Sequence, residues 1–231
     1  MKITVIGNSV ALRVRPPQKT SRNFTYLLRE KLGSQALVEN KALGATTITN
    51  WLQVNDQFIN SFPDYFIINI GVVDSTIREV PLWFYRLANR KVDNILTKIV
   101  KGIYRGLIAK MRPLLSKIRG RRSWVSAKTF EKQYQQLFET ILKETNAYII
   151  AMPINITNDR IEKQLPGSGK NQVKFNEIIK KVTMEHHQSF LDLSDLKSEE
   201  HYPDGVHFNE TGHKIVAERL IEIINEKQSR A

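Results

Sequence analysis

Residues 1–10, MKITVIGNSV, decide how the rest of this chain is read. Ile3, Thr4, Val5 and Ile6 form the apolar, β-branched run of a buried strand. The run breaks at once into Gly7-Asn8-Ser9, three small or turn-forming residues. Open parallel sheets carry their chemistry just past the carboxyl ends of strands, which is where this serine stands. The same residues also suit an ordinary strand-to-helix turn with an Asn or Ser cap. What shifts the balance is Asp204-Gly205-Val206-His207, near the other end of the chain.

Outward from that turn, strands and helices alternate. A loop over 10–17 carries Arg13, Arg15 and two prolines, and Ser21 then caps a helix that runs to Lys31 and ends at Gly33. A second strand is predicted at 36–39, followed by a small-residue turn containing Gly44 and a helix over 48–59 whose apolar residues fit one face only loosely. The strand at 65–70 ends at Gly71-Val72-Val73-Asp74, again a meeting of strand end, glycine and acid. Later come a helix over 126–144, a strand over 147–152 closed by Pro153, and a flexible-looking loop over 155–169. A helix over 172–186, a short strand at 190–193 and a closing helix over 210–226 complete the chain. Five strands separated by helices predict an α/β fold in three layers, with a central parallel sheet of about five strands covered on both faces.

The length of 231 residues suits one domain spanning 1–231. No apolar run approaches the roughly 18 residues of a membrane span. The first strand starts at the second residue and leaves no room for a secretory signal, so a cytoplasmic location is expected, free or peripheral at the inner face of the membrane. Absence of cysteine excludes disulfides, thiolate metal ligands and a cysteine nucleophile. The net charge of +12 is unusual, and thirteen Lys and Arg against two acids place +11 of it between residues 75 and 125.

That insert carries an apolar stripe of Val92, Ile95, Leu96, Ile99, Ile103, Leu107 and Met111 at three- and four-residue steps, with Lys98, Lys101, Arg105, Lys110 and Arg112 over much of the remainder. It reads as one long amphipathic helix stopped near Pro113, then a short basic one. Three uses fit: the stripe packs on the main body and the charges are solvated; with Trp83, Phe84 and Tyr85 it meets an anionic membrane surface or a partner protein's groove; or it is a lid that attracts an anionic substrate. Nucleic acid is the poorest fit, since the charges follow no binding motif.

In an all-parallel sheet the carboxyl ends share one edge, so the turns at Ser9, Gly44 and 71–74 converge there. A serine hydroxyl needs an imidazole within hydrogen-bond reach to take its proton, and His207 is the candidate. Asp204, three residues earlier, is close enough to hold that imidazole in one tautomer. Backbone N–H groups of the Ser9 and Gly44 turns would face the oxyanion of a tetrahedral intermediate. Taken singly, Gly44 suits a plain turn, and Asp74 a turn cap or a site role. His186 and His187 sit at a helix end and cannot chelate from one face, while His201 and His213 flank the Asp204 loop in surface, capping or substrate roles. No spacing calls for a metal or cofactor.

Gly7-Asn8-Ser9, the glycine after the second strand, Gly71-Val72-Val73-Asp74 and Asp204-Gly205-Val206-His207 followed by Phe208-Asn209 together resemble the SGNH hydrolases, also called GDSL-type esterases and lipases. The resemblance spans nearly the whole chain outside the insert and implies a flavodoxin-like sheet. It implies Ser9 as nucleophile, His207 as general base, Asp204 as its orienter, and the N–H groups of Ser9 and Gly44 as oxyanion donors. Two positions depart. The family has aspartate where Asn8 stands, and its Gly-x-Asn-Asp motif has an asparagine donor where this chain has Val73. A valine cannot donate, so activity is modest, Asn8 or Asn155 substitutes, or the substrate needs less help. The expected activity is a serine esterase working through an acyl-enzyme on a small-molecule or glycan ester, with acetyl on a carbohydrate as the expected acyl ester. Acyl transfer to a glycan, and a catalytically weakened binder of a glycan or membrane surface, are the alternatives.

Overall fold

β1 (Lys2–Gly7) lies inside the sheet because Ile3, Val5 and Ile6 have no use for water; all three are fully buried. This computed structural model describes residues 1–12, 22–90 and 94–229, without the side chain of Leu96. Arg13, Arg15, Ser21 and Val92 lie outside the described residues. β1 pairs in parallel with β2 (Leu37–Asn40) on one side and with β3 (Tyr65–Asn69) on the other, in a register that sets Val5 beside Asn40 and Ile67. β4 (Tyr148–Ala151) and β5 (Ser189–Phe190) extend the sheet in the order β2-β1-β3-β4-β5, every pairing parallel. All five residues of β3 are buried, the pattern of a strand covered on both faces.

The helices follow in chain order. α1 (Phe24–Leu32), α2 (Ile48–Gln53), α3 (Asp56–Ile59) and α4 (Val72–Ser75) come before the insert. α5 (Leu82–Ala88), α6 (Ile95–Ile103) and α7 (Arg112–Ile118) lie within it. α8 (Ala127–Glu144), α9 (Asp159–Gln164), α10 (Ser168–Glu185), α11 (Ser198–His201) and α12 (Glu210–Ser229) complete the set. α1 packs on α12, while α8 packs on α2 and α10, giving the helical layers that flank the sheet. The main core joins the strands to Phe24, Trp51, Phe130, Phe138, Phe175 and Leu220.

Several elements differ from the sequence reading. Asn23 caps α1, its Oδ1 accepting the Tyr26 N–H at 2.9 Å. The expected helix over 48–59 is two, because the Asn55 side chain accepts the Asp56 N–H and starts a new turn; Trp51 and Phe58 still meet edge to face, 5.9 Å apart. The loop over 155–169 is built rather than loose. Asn158 caps α9, and Glu162 accepts the N–H groups of Gly167 and Gly169, which starts α10 at Ser168.

The insert departs most. In place of one long helix, α6 runs into a π-turn (Tyr104–Ile108), and Pro113 sits in the first turn of α7, where its missing N–H costs nothing. The described side chains of the stripe do not pack on the main body. Ile95, Ile99, Ile103 and Leu107 are 78, 54, 47 and 59% exposed. The inward side of the insert is a separate small core of Val80, Ala88 and Tyr104 with Phe84, Tyr85, Val100 and Ile108.

Candidate active site

The strand order reverses between β2 and β3, on either side of β1, and a ligand crevice belongs at the carboxyl end of that switch. Gly7 closes β1 there. A Cβ on it would lie 2.7 Å from the Asn69 carbonyl, so only glycine lets β1 and β3 come this close. The Asn8 N–H donates to the same carbonyl at 2.9 Å. Ser9 then opens a single 3₁₀ turn (Ser9–Ala11), which holds its hydroxyl at the half-exposed rim.

Asn8 is fully buried and braces the rim. Its Nδ2 donates to the Thr46 carbonyl at 2.7 Å and to Thr46 Oγ1 at 3.1 Å, while its Oδ1 accepts the Gly71 N–H at 3.2 Å. One side chain thus ties the turn after β1 to the turns after β2 and β3. With both amide hydrogens engaged, Asn8 is not a spare donor for an oxyanion, which corrects one expected substitute for the missing asparagine. Gly44 is exposed, and neither its N–H nor that of Ser9 donates to another group among the described residues.

The Asp204 loop meets this rim from the other end of the chain. Ser9 Oγ lies 2.9 Å from His207 Nε2, and His207 Nδ1 lies 2.9 Å from Asp204 Oδ2. Asp204 Oδ1 also accepts the backbone N–H groups of Val206 at 2.9 Å and His207 at 2.7 Å. Burial pushes the Asp204 carboxyl up, but the hydrogen bonds and charge of His207, with the N–H of Val206, outweigh it and hold the group well below the usual carboxylate range. An ionised Asp204 keeps the proton on Nδ1 and leaves Nε2 to accept from Ser9.

The loop is itself held by the segment before α9. Gly205 has φ +80°, and a Cβ there would lie 2.5 Å from Asn158 Oδ1. Asn155 Nδ2 donates to the Val206 carbonyl at 2.9 Å, Asn158 Nδ2 to the Pro203 carbonyl at 3.2 Å, and Arg160 to the Asp204 carbonyl at 2.8 Å. Asn155 therefore supports the histidine loop. Thr46, Asn158 and Arg160 were not singled out from the sequence; only the cap-like Asn158-Asp159 pair ahead of α9 carried a signal.

Val73 is buried in α4 and offers no donor. Asp74 is fully buried, its Oδ1 accepting the Ile48 N–H at 2.8 Å at the start of α2. Burial pushes its carboxyl up to about 7, against the opposing pull of the Ile48 N–H. His213 is buried between Phe24 and Phe208, its Nδ1 accepting the Phe24 N–H at 3.2 Å. His201 binds the backbone of Lys197, so both histidines have structural work. His186 and His187 end α10. Among the described residues, no three His, Asp or Glu are grouped to hold a metal ion.

A model of the GDSL-like lipase/acylhydrolase family matches residues 5–215. The chain belongs to that family. It is therefore a hydrolase acting on ester bonds, and the SGNH resemblance of its motifs and its five-stranded parallel sheet agree with the family's fold. Among solved structures it is similar to the lipase/acylhydrolase from Enterococcus faecalis, at 15% identity and TM-score 0.66 over 98% of this chain and 96% of that one. It is also similar to a catalytic mutant of Axe2, an acetylxylan esterase from Geobacillus stearothermophilus, at 16% identity and TM-score 0.62 over 96% and 92% of the two chains. The psychrotrophic esterase EstA from a Pseudoalteromonas species aligns at 13% identity and TM-score 0.60 over 99% and 98%. No curated protein matches the chain.

Proposed function

We propose that this GDSL-family hydrolase cleaves a small acyl ester, an O-acetyl group on a carbohydrate being the favoured class, through an acyl-enzyme on Ser9. The reading is carried by the continuous Ser9–His207–Asp204 hydrogen-bonded line, two contacts of 2.9 Å, the first of which joins opposite ends of the chain. Ser9 Oγ attacks the acyl carbon as its proton passes to His207 Nε2, and the Asp204 carboxylate stabilises the imidazolium. The oxygen of the tetrahedral intermediate takes hydrogen bonds from the Ser9 and Gly44 N–H groups. On collapse, His207 returns the proton to the leaving alcohol; water then attacks the acyl-enzyme with His207 again as base, releasing the acid and restoring Ser9.

The acetylxylan esterase among the structural neighbours supports the substrate class. Exposure of Gly44 and its neighbour Leu43 leaves the rim open to water, which favours hydrolysis over acyl transfer. A fluorophosphonate probe tests the assignment: Ser9 is expected to be labelled, and His207→Ala to abolish labelling while leaving the fold intact. Folded protein that neither labels nor turns over p-nitrophenyl acetate would show a binding protein instead. Acetylation of an added sugar in preference to acetate release would show a transferase.

A further inference from the structure

The described residues include fourteen exposed large apolar side chains, and eight of them fall between residues 75 and 125. That segment also carries net +11. Scattered exposed apolar residues need no explanation, but a concentrated set does.

Their arrangement is ordered. Along α6, successive residues turn by about 100°, so three rows separate. Thr97, Val100 and Tyr104 face inward; Thr97 and Tyr104 are buried, and Val100 packs on the small core. Ile95, Ile99 and Ile103 form a second row, open to solvent, which Leu107 continues across the π-turn. Lys101 and Arg105 form a third, and neither pairs with a carboxylate among the described residues. α7 adds exposed Leu114 and Ile118 with Lys117 between them. Trp83 on α5 is 66% exposed.

We propose that this face of the insert docks on an anionic lipid surface, with the isoleucine row in the acyl boundary and the cationic row against the headgroups. Charge selects this occupant. A second copy using the same face would bring two strongly cationic inserts together, which repulsion opposes. An anionic bilayer supplies apolar cover and negative charge at once. The face is braced from within the insert, since Glu79, only 5% exposed, accepts from Tyr104 Oη at 2.7 Å and from Arg112 Nε at 3.2 Å. It is also joined to the catalytic rim: Arg86 of α5 donates to Asn50 of α2 at 3.0 Å, and the insert leaves the sheet just past β3.

The experiment is flotation of the full chain with vesicles of phosphatidylcholine and phosphatidylglycerol, and with vesicles of phosphatidylcholine alone. Binding is expected to the mixed vesicles, at least about tenfold weaker to neutral ones, and reduced by salt. Ile99→Asp with Ile103→Asp, both at solvent-exposed positions, should cut vesicle binding by about tenfold or more. Lys101→Glu with Arg105→Glu should do the same, while both variants keep wild-type turnover of soluble p-nitrophenyl acetate. Equal binding to both vesicle types, no binding to either, or a dimer in sedimentation that Ile103→Asp dissociates would each overturn the proposal.

Discussion

At the scale of single residues, the rim around Ser9 is held by a buried side chain turned into the protein. Asn8 joins three strand-end turns, and replacing its amide would release all three at once. Val73 is the reverse case, a buried apolar side chain where the family's motif carries a donor. One oxyanion donor is worth about 2.7–4 kcal/mol of transition-state stabilisation. Val73→Asn is therefore expected to raise kcat for p-nitrophenyl acetate by about 10²-fold with KM unchanged. It should also lower stability by about 1–3 kcal/mol, since an amide then replaces a buried isopropyl group. Steady-state kinetics with thermal unfolding reads both effects. Unchanged kcat in a folded variant would mean that the oxyanion lies out of reach of this position.

At the scale of elements, α2 begins where Asp74 accepts its first N–H, so a buried carboxyl and a helix N-terminus are one device. The second oxygen of Asp74 is buried without a partner among the described residues. A carboxyl raised by burial to about 7 favours its protonated form in the folded state. Its contribution to stability is full below the ordinary carboxyl range and is lost as pH rises toward 7. Asp74→Asn keeps the acceptor for Ile48 and removes the titration. Urea unfolding is expected to show wild-type stability falling by up to roughly 4 kcal/mol from about pH 4 to pH 8, a slope that Asp74→Asn lacks. Parallel pH profiles for the two proteins would sink the idea. From the sequence Asp74 reads as a turn cap or a site residue; that it caps α2, which follows a different strand, was not readable. Elements with a strong local signal were readable: β3 from its unbroken apolar run, and α8 from Phe130, Tyr134, Leu137 and Ile141 at helical spacing, all fully buried. Asn55 and the π-turn were not, because a hydrogen bond back to the chain, or one extra residue per turn, leaves the apolar period almost unchanged. The outward face of α6 was left open among three uses for a related reason. Periodicity says that a helix has an apolar side, not what covers it.

At the scale of the molecule, the sheet brings Ser9 and His207 together from nearly opposite ends of the chain, and the topology rather than local sequence does so. The placement of both at one edge was legible because parallel strands end on one side. The braces from Asn155, Asn158 and Arg160 were not, since they depend on which loop lies beside which. The insert follows different physics. Its small core of Val80, Ala88 and Tyr104 is separate from the main one, and an antiparallel bridge between Ile77 and Ser123 closes its base. A small core separate from the main one opens as a cooperative unit of its own, at lower free energy. Hydrogen exchange is expected to show α6 amides opening well below the global unfolding energy that protects β1 and β3. Glu79→Ala removes the acceptor shared by Tyr104 and Arg112. It should lower the α6 opening energy by about a further 1–3 kcal/mol while leaving β1 protection and p-nitrophenyl acetate turnover close to wild type. If α6 and β3 instead exchange with one common opening energy, and Glu79→Ala lowers both equally, the insert and the sheet unfold as a single unit.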